Sequence, residues 1–381
     1  MSDKDEEKIK KIQENFEELS EKFSIVDDLE EFTRTVSSYT KLYSLKEIAS
    51  FSDSDALSTG SKIVSSIESD RTGNLFATAG VLKRINIYNL NNIIENENMN
   101  VSKNYPVLQI QSNAKISCLS WNPFYENKLC SADYDGDLNL YDTLTGEIVT
   151  SWTEHEKRCW SVDSSALDPQ RLISGSDDCK VKLWNQKTQK SLMTIDLKAN
   201  VCSVRFSPKD SNLVAVGAAD HRVLLFDLRK PSIPVFNNKE HSKSVSYVRF
   251  NESGSSIISA STDSTLRKWS QTKTSIWKSE KTLRGHLNEK NFVGLSNVKN
   301  DLIVTGSEDN CAFIYDQNLE YPVLKYSLKT KCPLTGSIMN DESGTFVSSV
   351  SWANRSDNEG NSILLLSNST GNVRILSIIQ E

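Results

Sequence analysis

The chain has 381 residues, 37% of them hydrophobic, and a formal net charge of −6. No stretch approaches the roughly 18 consecutive apolar residues of a membrane-spanning helix, so no membrane role is expected. Residues 1–31 hold twelve acidic and five basic side chains, a net of −7, so the other 350 residues carry +1 and give no electrostatic reason to expect nucleic-acid binding.

The N-terminus opens on charge and lacks the apolar core and small-residue cleavage site of a secretory signal, which predicts an intracellular protein. No dense basic run favours the nucleus over the cytoplasm, and both are expected. Ile9, Ile12, Phe16, Leu19, Phe23 and Val26 recur at spacings of 3 and 4, and after a one-residue slip Leu29, Phe32, Val36 and Tyr39 continue the stripe. Residues 1–41 are therefore predicted as a short, acidic α-helical extension of coiled-coil type. Two uses stay open: self- or hetero-association through a coiled coil, or a helix folded back on the domain that follows.

From residue 42 onward one pattern recurs: a small-residue pair, a turn ending in Asp, then alternating apolar residues closing on an aromatic. Copies run from Ala79 to Tyr88, Ser131 to Tyr141, Ser174 to Trp184, Val216 to Phe226, Ser259 to Trp269 and Thr305 to Tyr315, with a degenerate seventh from Leu366 to Leu376. Their closing positions are 53, 43, 42, 43, 46 and 61 residues apart. Most of these intervals match the ~40–45 residues of one four-stranded propeller blade, which predicts an all-β, seven-bladed β-propeller of the WD-repeat type over residues 42–381. The two long intervals predict loop insertions at residues 91–105 and 329–343, both loop-like in composition. Closing such a ring requires the seventh blade to take its outer strand from the chain start, near residues 42–51, beside strands near 346–352, 362–368 and 372–379.

Seven cysteines (Cys118, Cys130, Cys159, Cys179, Cys202, Cys311 and Cys332) lie mostly in strand-like runs, with no Cys-x-x-Cys spacing and no histidine at zinc-ligand distance. They read as buried reduced thiols, and neither a metal nor another cofactor is expected. Three blades carry a histidine 22 or 23 residues ahead of the turn Asp: His155 with Asp178, His241 with Asp263, and His286 with Asp309. Both positions fall at one end of a blade, where imidazole can bond carboxylate and a Ser/Thr hydroxyl and a Trp indole can join. One blade has all the parts in His155, Ser174, Asp178 and Trp184. Such a set also composes catalytic triads, but it recurs from blade to blade and folding explains each member. With no phosphate loop or zinc-protease motif either, the chain reads as a non-enzyme with no catalytic residue.

The runs Ala114–Trp121, Glu154–Asp163, Gly175–Trp184 and Asn288–Leu295, with Ile63–Ile67, Lys198–Cys202 and Ser244–Tyr247, resemble the propeller of the constitutive photomorphogenesis ubiquitin ligase family. The resemblance spans roughly residues 32–379. It implies a substrate receptor for short peptides with a Val-Pro core beside acidic residues. Carried over by position, the implied pocket is Lys115, Tyr134, Arg158, Trp160, Lys243 and Phe292. Each lies just before a first strand or in the turn after a second strand, loops that share one face of a propeller. Three aromatics there would form an apolar slot and three cations would meet flanking carboxylates.

Phe226-Asp-Leu-Arg229 resembles the Trp-Asp-x-Arg signature through which WD-repeat receptors dock on the damaged-DNA-binding adaptor of cullin-4 ligases, which implies docking roles for Asp227 and Arg229. Family ligases usually carry a RING and a long coiled coil ahead of the propeller, and this chain has no cysteine before Cys118. It is also similar to the suppressor of phytochrome A and repressor of UV-B photomorphogenesis groups, the latter short and RING-free. The implied function is a substrate receptor or adaptor of a ubiquitin ligase; the alternative is a general WD-repeat scaffold or regulator in an unrelated complex.

Overall fold

The computed structural model describes residues 43–53, 60–95, 105–272, 276–297, 301–328 and 344–380, together with Val36, Ser38 and Lys41. The stripe of residues 9–26, its continuation apart from Val36, the predicted insertion at 329–343, and Cys332 lie outside the described residues. Among the described residues, twenty-eight strands, β1 to β28 in chain order, form seven four-stranded antiparallel sheets. The protein is a seven-bladed β-propeller.

The first strands of blades 1 to 7 are β2 (Val64–Ser69), β6 (Ile116–Trp121), β10 (Cys159–Ser164), β14 (Val201–Phe206), β18 (Val245–Phe250), β22 (Leu295–Asn297) and β26 (Val347–Ser356). They line a central channel. Every residue of β6 and β14 is buried, because neighbouring blades cover both faces of an inner strand. The fourth strand of blade 3, β13 (Met193–Asp196), instead alternates, as a half-solvated strand does. Apolar side chains fill the wedges between adjacent blades, so the core is distributed around the ring.

The seventh blade joins the two ends of the chain. Its order is β26, β27 (Ser362–Asn368), β28 (Asn372–Gln380) and β1 (Tyr43–Ser52), with Tyr43 opposite Gln380 and Phe51 opposite Val373. Inner-strand side chains stitch the remaining seams. Ser66 accepts from Leu119 N at 3.0 Å, Ser120 from Ser164 N at 3.0 Å, Ser161 from Val204 N at 3.1 Å, and Ser203 from Val248 N at 3.2 Å. Ser296 accepts from Trp352 N and Ser349 from Ile67 N. Between blades 5 and 6 the stitch is different: Arg249 Nε donates to Leu295 O at 3.0 Å and Asn297 Nδ2 to Phe250 O at 2.6 Å.

The two faces of the disc are set by strand direction. On the upper face each second-to-third strand turn donates a backbone N–H to the loop entering its own blade, as in Tyr134 N to Lys115 O and Asp177 N to Arg158 O, both 2.9 Å. Each of these turns reverses through one residue in the left-handed region: Lys83, Gly136, Cys179, His221, Ser264, Asn310 and Gly371, with φ between 56° and 96°. Five are not glycine and accept a cost of roughly 1–2 kcal/mol that the surrounding bonds offset. The recurrent small-residue pair has an equally local cause: a Cβ on Gly175 would sit 2.4 Å from Val201 Cγ1 of the next blade.

The insertion predicted as loop from residue 91 begins as a short helix, α1 (Leu90–Glu95). Asn89 Oδ1 caps it by accepting from Asn92 N at 3.1 Å. Leu90, Ile93 and Ile94 pack with Ile48, Phe51 and Phe76 in the wedge between blades 7 and 1, so apolar burial overrides the polar composition of the segment.

Candidate functional site

A repeated backbone irregularity builds the upper mouth of the channel. In every blade except the sixth, the register between first and second strands slips by one residue, between Val64 and Ser66, Ile116 and Cys118, Cys159 and Ser161, Val201 and Ser203, Val245 and Tyr247, and Val347 and Ser349. A bulge of this kind re-aims the extra side chain. The extra residue is Ser65, Ser117, Cys202, Ser246 or Ser348 in five blades, but Trp160 in blade 3. An indole therefore projects where the other blades place a small polar group.

Trp160 meets rings from two other blades, and one of these carries the contact on to a third. It stacks on Phe292 with centroids 4.8 Å apart and contacts Tyr134 edge-on at 5.4 Å, while Tyr247 abuts Phe292 at 5.8 Å. These four form a continuous aromatic row across the mouth, each contact worth about 0.5–1.5 kcal/mol beyond simple burial. Beneath it lies a cavity of about 160 Å³ whose walls include Cys118, Ser161 and Ser203. Tyr247 was missed in the sequence. The available signal was an aromatic at the register where other blades carry Ser66, Cys118, Ser161, Ser203 and Ser349.

The three cations assigned to the pocket do not line this cavity. Lys115, Arg158 and Lys243 are exposed on the surrounding rim. Arg158 lies over the Tyr134 ring, 5.3 Å from its centroid. Burial raises the Tyr134 phenol above its ordinary pKa against the opposing pull of Arg158, so the ring is a neutral donor at physiological pH.

The channel floor is charged, which the sequence reading did not foresee. Arg205 Nη1 donates to Asp163 Oδ1 at 2.9 Å, and Arg249 Nη2 reaches Glu68 Oε1 at 3.3 Å, with Arg205 Nη2 3.8 Å from the same oxygen. Two cations and two carboxylates from blades 1, 3, 4 and 5 thus balance inside the ring. Burial pulls Arg205 down, but the charge of Asp163 more than reverses it; burial and the nearby Arg205 hold Arg249 below its ordinary value.

At the rim of blade 3, His155 Nδ1 is 2.7 Å from Asp178 Oδ2 and its Nε2 is 2.7 Å from Ser174 Oγ, which also accepts from Trp184 Nε1 at 2.8 Å. Blade 5 repeats the set with His241, Asp263, Ser259 and Trp269 at 3.0, 2.8 and 2.8 Å. Burial pushes the Asp178 carboxyl up, but the His155 bond outweighs it and holds the group below its ordinary range. The hydroxyls that resemble nucleophiles are locked between a buried imidazole nitrogen and a buried indole N–H.

In blade 6 the expected His286–Asp309 pair does not form. Tyr315 replaces the tryptophan, and its hydroxyl meets His286 Nδ1 at 3.0 Å, while Asp309 turns outward to Lys325 Nζ at 2.8 Å. Glu308 takes over the loop instead, accepting from Lys290 N and Asn291 N at 2.8 Å. His286 Nε2 is left buried without a partner among the described residues. Blade 1 has a variant no histidine marked: Asp53, buried after β1, accepts from Thr78 Oγ1 at 2.7 Å, Asn86 Nδ2 at 3.0 Å and Tyr88 Oη at 2.5 Å.

Asp227 and Arg229 lie at the end of the third strand of blade 4, on the lower face. Arg229 Nε and Nη2 donate to Asp227 at 2.9 and 2.7 Å, yet the Arg229 side chain stays 64% exposed.

The chain matches the family model described as "Nucleolar protein 10-like, N-terminal domain" over residues 118–296, and "WD domain, G-beta repeat" over 277–316. It is 40% identical over 349 residues to "E3 ubiquitin-protein ligase COP1" of Pisum sativum, covering 91% of this chain and 49% of that protein. It is 37% identical over 381 residues to "Protein SUPPRESSOR OF PHYA-105 1" of Arabidopsis thaliana, covering 99% of this chain and 36% of that protein. With "WD repeat-containing protein RUP2" of Arabidopsis thaliana it shares 34% identity over 310 residues, 77% of this chain and 82% of that protein. The chain thus spans half or less of the ligase and suppressor relatives and most of the shorter one.

Proposed function

The chain belongs to the WD-repeat propeller family of the COP1, suppressor of PHYA-105 and RUP proteins, and from that membership we propose that it is a substrate receptor or adaptor of a ubiquitin ligase. Its upper mouth takes short peptides with a Val-Pro core beside acidic residues. The observation that carries this reading is the aromatic row of Tyr134, Trp160 and Phe292, three rings from separate blades gathered over one cavity. Proline and valine pack on such faces without a polar demand. Lys115, Arg158 and Lys243 stand around the row, where exposed cations steer and orient carboxylates.

Arg229 supports a second contact, with a cullin-4 adaptor. Asp227 fixes its guanidinium in a bidentate bond while leaving it exposed at the lower face. The test is to titrate the protein with an acidic Val-Pro peptide by calorimetry and to identify co-purifying ubiquitin-ligase subunits by mass spectrometry. No binding and no such subunits would leave the general scaffold reading.

A further inference from the structure

The lower face differs chemically from the upper. Large apolar side chains stand exposed at successive third-to-fourth strand connections: Leu192 in blade 3, Ile233 and Val235 in blade 4, Ile276 in blade 5 and Tyr321 in blade 6, each 52–75% exposed. Single exposed apolar residues are ordinary, but a run along one rim marks a contact surface. Cations are interleaved with them. Lys187, Lys190, Lys209 and Lys230 are exposed on lower-face turns of blades 3 and 4, and no salt bridge engages them among the described residues.

The chain arrives on this same face. Ser38 is buried, and its hydroxyl accepts from Asn318 Nδ2 at 3.2 Å in the third-to-fourth strand turn of blade 6, three residues before Tyr321. Ahead of it, residues 9–26 carry the apolar stripe, within a segment of net charge −7. As a helix those 18 residues would measure about 27 Å, and residues 27–35 could span up to about 30 Å if extended. From the Ser38 anchor the stripe can reach blades 5 to 3, and both its apolar and its acidic character complement what is exposed there.

We propose that residues 9–26 dock on the lower rim between Ile276 and Leu192 of the same chain, stripe inward, with their carboxylates facing the four lysines. Arg229 lies within the covered stretch, so the docked segment and any protein that grips Arg229 exclude one another. The docking itself does not depend on the receptor reading.

The experiment is hydrogen–deuterium exchange on the full-length protein with its mass followed by sedimentation, comparing wild type, Ile233→Asp/Val235→Asp and Phe16→Asp/Leu19→Asp. In monomeric wild type, amides of residues 9–26 and of the turn at 228–236 should exchange at least tenfold more slowly than in either variant. Should the rim variant fail to fold, Lys190→Glu/Lys230→Glu replaces it with the same expectation. Unprotected residues 9–26 in wild type, or equal protection in the rim variant, would overturn the proposal. So would protection that grows with concentration alongside a doubled mass, which would make a second copy the occupant.

Discussion

Trp160 of blade 3 stacks on Phe292 of blade 6 with 20° between ring planes, so two blades that are not neighbours in the ring touch across its mouth. The contact depends on the bulge that turns Trp160 out of β10. A surface whose rings already support one another loses little side-chain freedom on binding, and this is how rigid aromatic anchors become binding hot spots.

Replacing Trp160 by alanine should therefore weaken binding of an acidic Val-Pro peptide by ~2 kcal/mol or more, about 30-fold in Kd. The variant should stay folded, with a modestly lower melting temperature, since the half-buried indole gives up its contacts with Tyr134 and Phe292. Calorimetry giving an unchanged Kd would end the pocket hypothesis.

The blade networks predict a contrast between two substitutions of similar appearance. Ser174→Ala strands two buried donors or acceptors, His155 Nε2 and Trp184 Nε1, and should cost about 3 kcal/mol. Asp309→Asn weakens a partly exposed pair with Lys325 and should cost less than about 1 kcal/mol. Urea unfolding of both variants measures the difference.

Burial pushes His286 from its ordinary 6.5 down to about 4. The unfolded chain then holds the proton more tightly, so the neutral ring's contribution is complete above pH 6.5 and is lost as pH falls toward 4. The loss should amount to about 3 kcal/mol, and His286→Gln should flatten that segment of the stability curve. An unaltered pH dependence in the variant would assign the loss elsewhere.

Ring closure separates two N-terminal deletions. Removing residues 1–52 takes away β1, with Ile48 and Phe51, and exposes the edge of β28. That protein should lose its cooperative thermal transition, whereas removing residues 1–35 should retain it. Equal melts would refute closure by β1.

Arg229→Ala should abolish capture of the protein by the cullin-4 adaptor while peptide binding at the opposite face persists. Loss of both in that variant would indicate a damaged fold.

The blades were legible because they repeat, incompletely in the first and seventh, the same local physics: a small residue where the packing leaves no room, a turn carboxylate, an aromatic closing the third strand. The chain-start strand was legible from the need to close a ring. Residues whose roles arise only between distant blades were not. Arg205 and Arg249 meet Asp163 and Glu68 only because four inner strands converge, and a bulge has no distinctive composition beyond the tryptophan it displays in one blade. Of the six pocket positions, the three aromatics come together over the cavity and the three cations remain around it. The His286 exception was readable afterwards, from tyrosine where two other blades have tryptophan.

Because Tyr43 faces Gln380 across one strand pair, whatever is fused ahead of the propeller and whatever is fused behind it leave the disc side by side, away from the aromatic row. A fluorophore on each extension would act as a gauge of blade 7, bright in energy transfer while the clasp holds and dark once it springs. Cargo could be attached at both ends without shading the mouth.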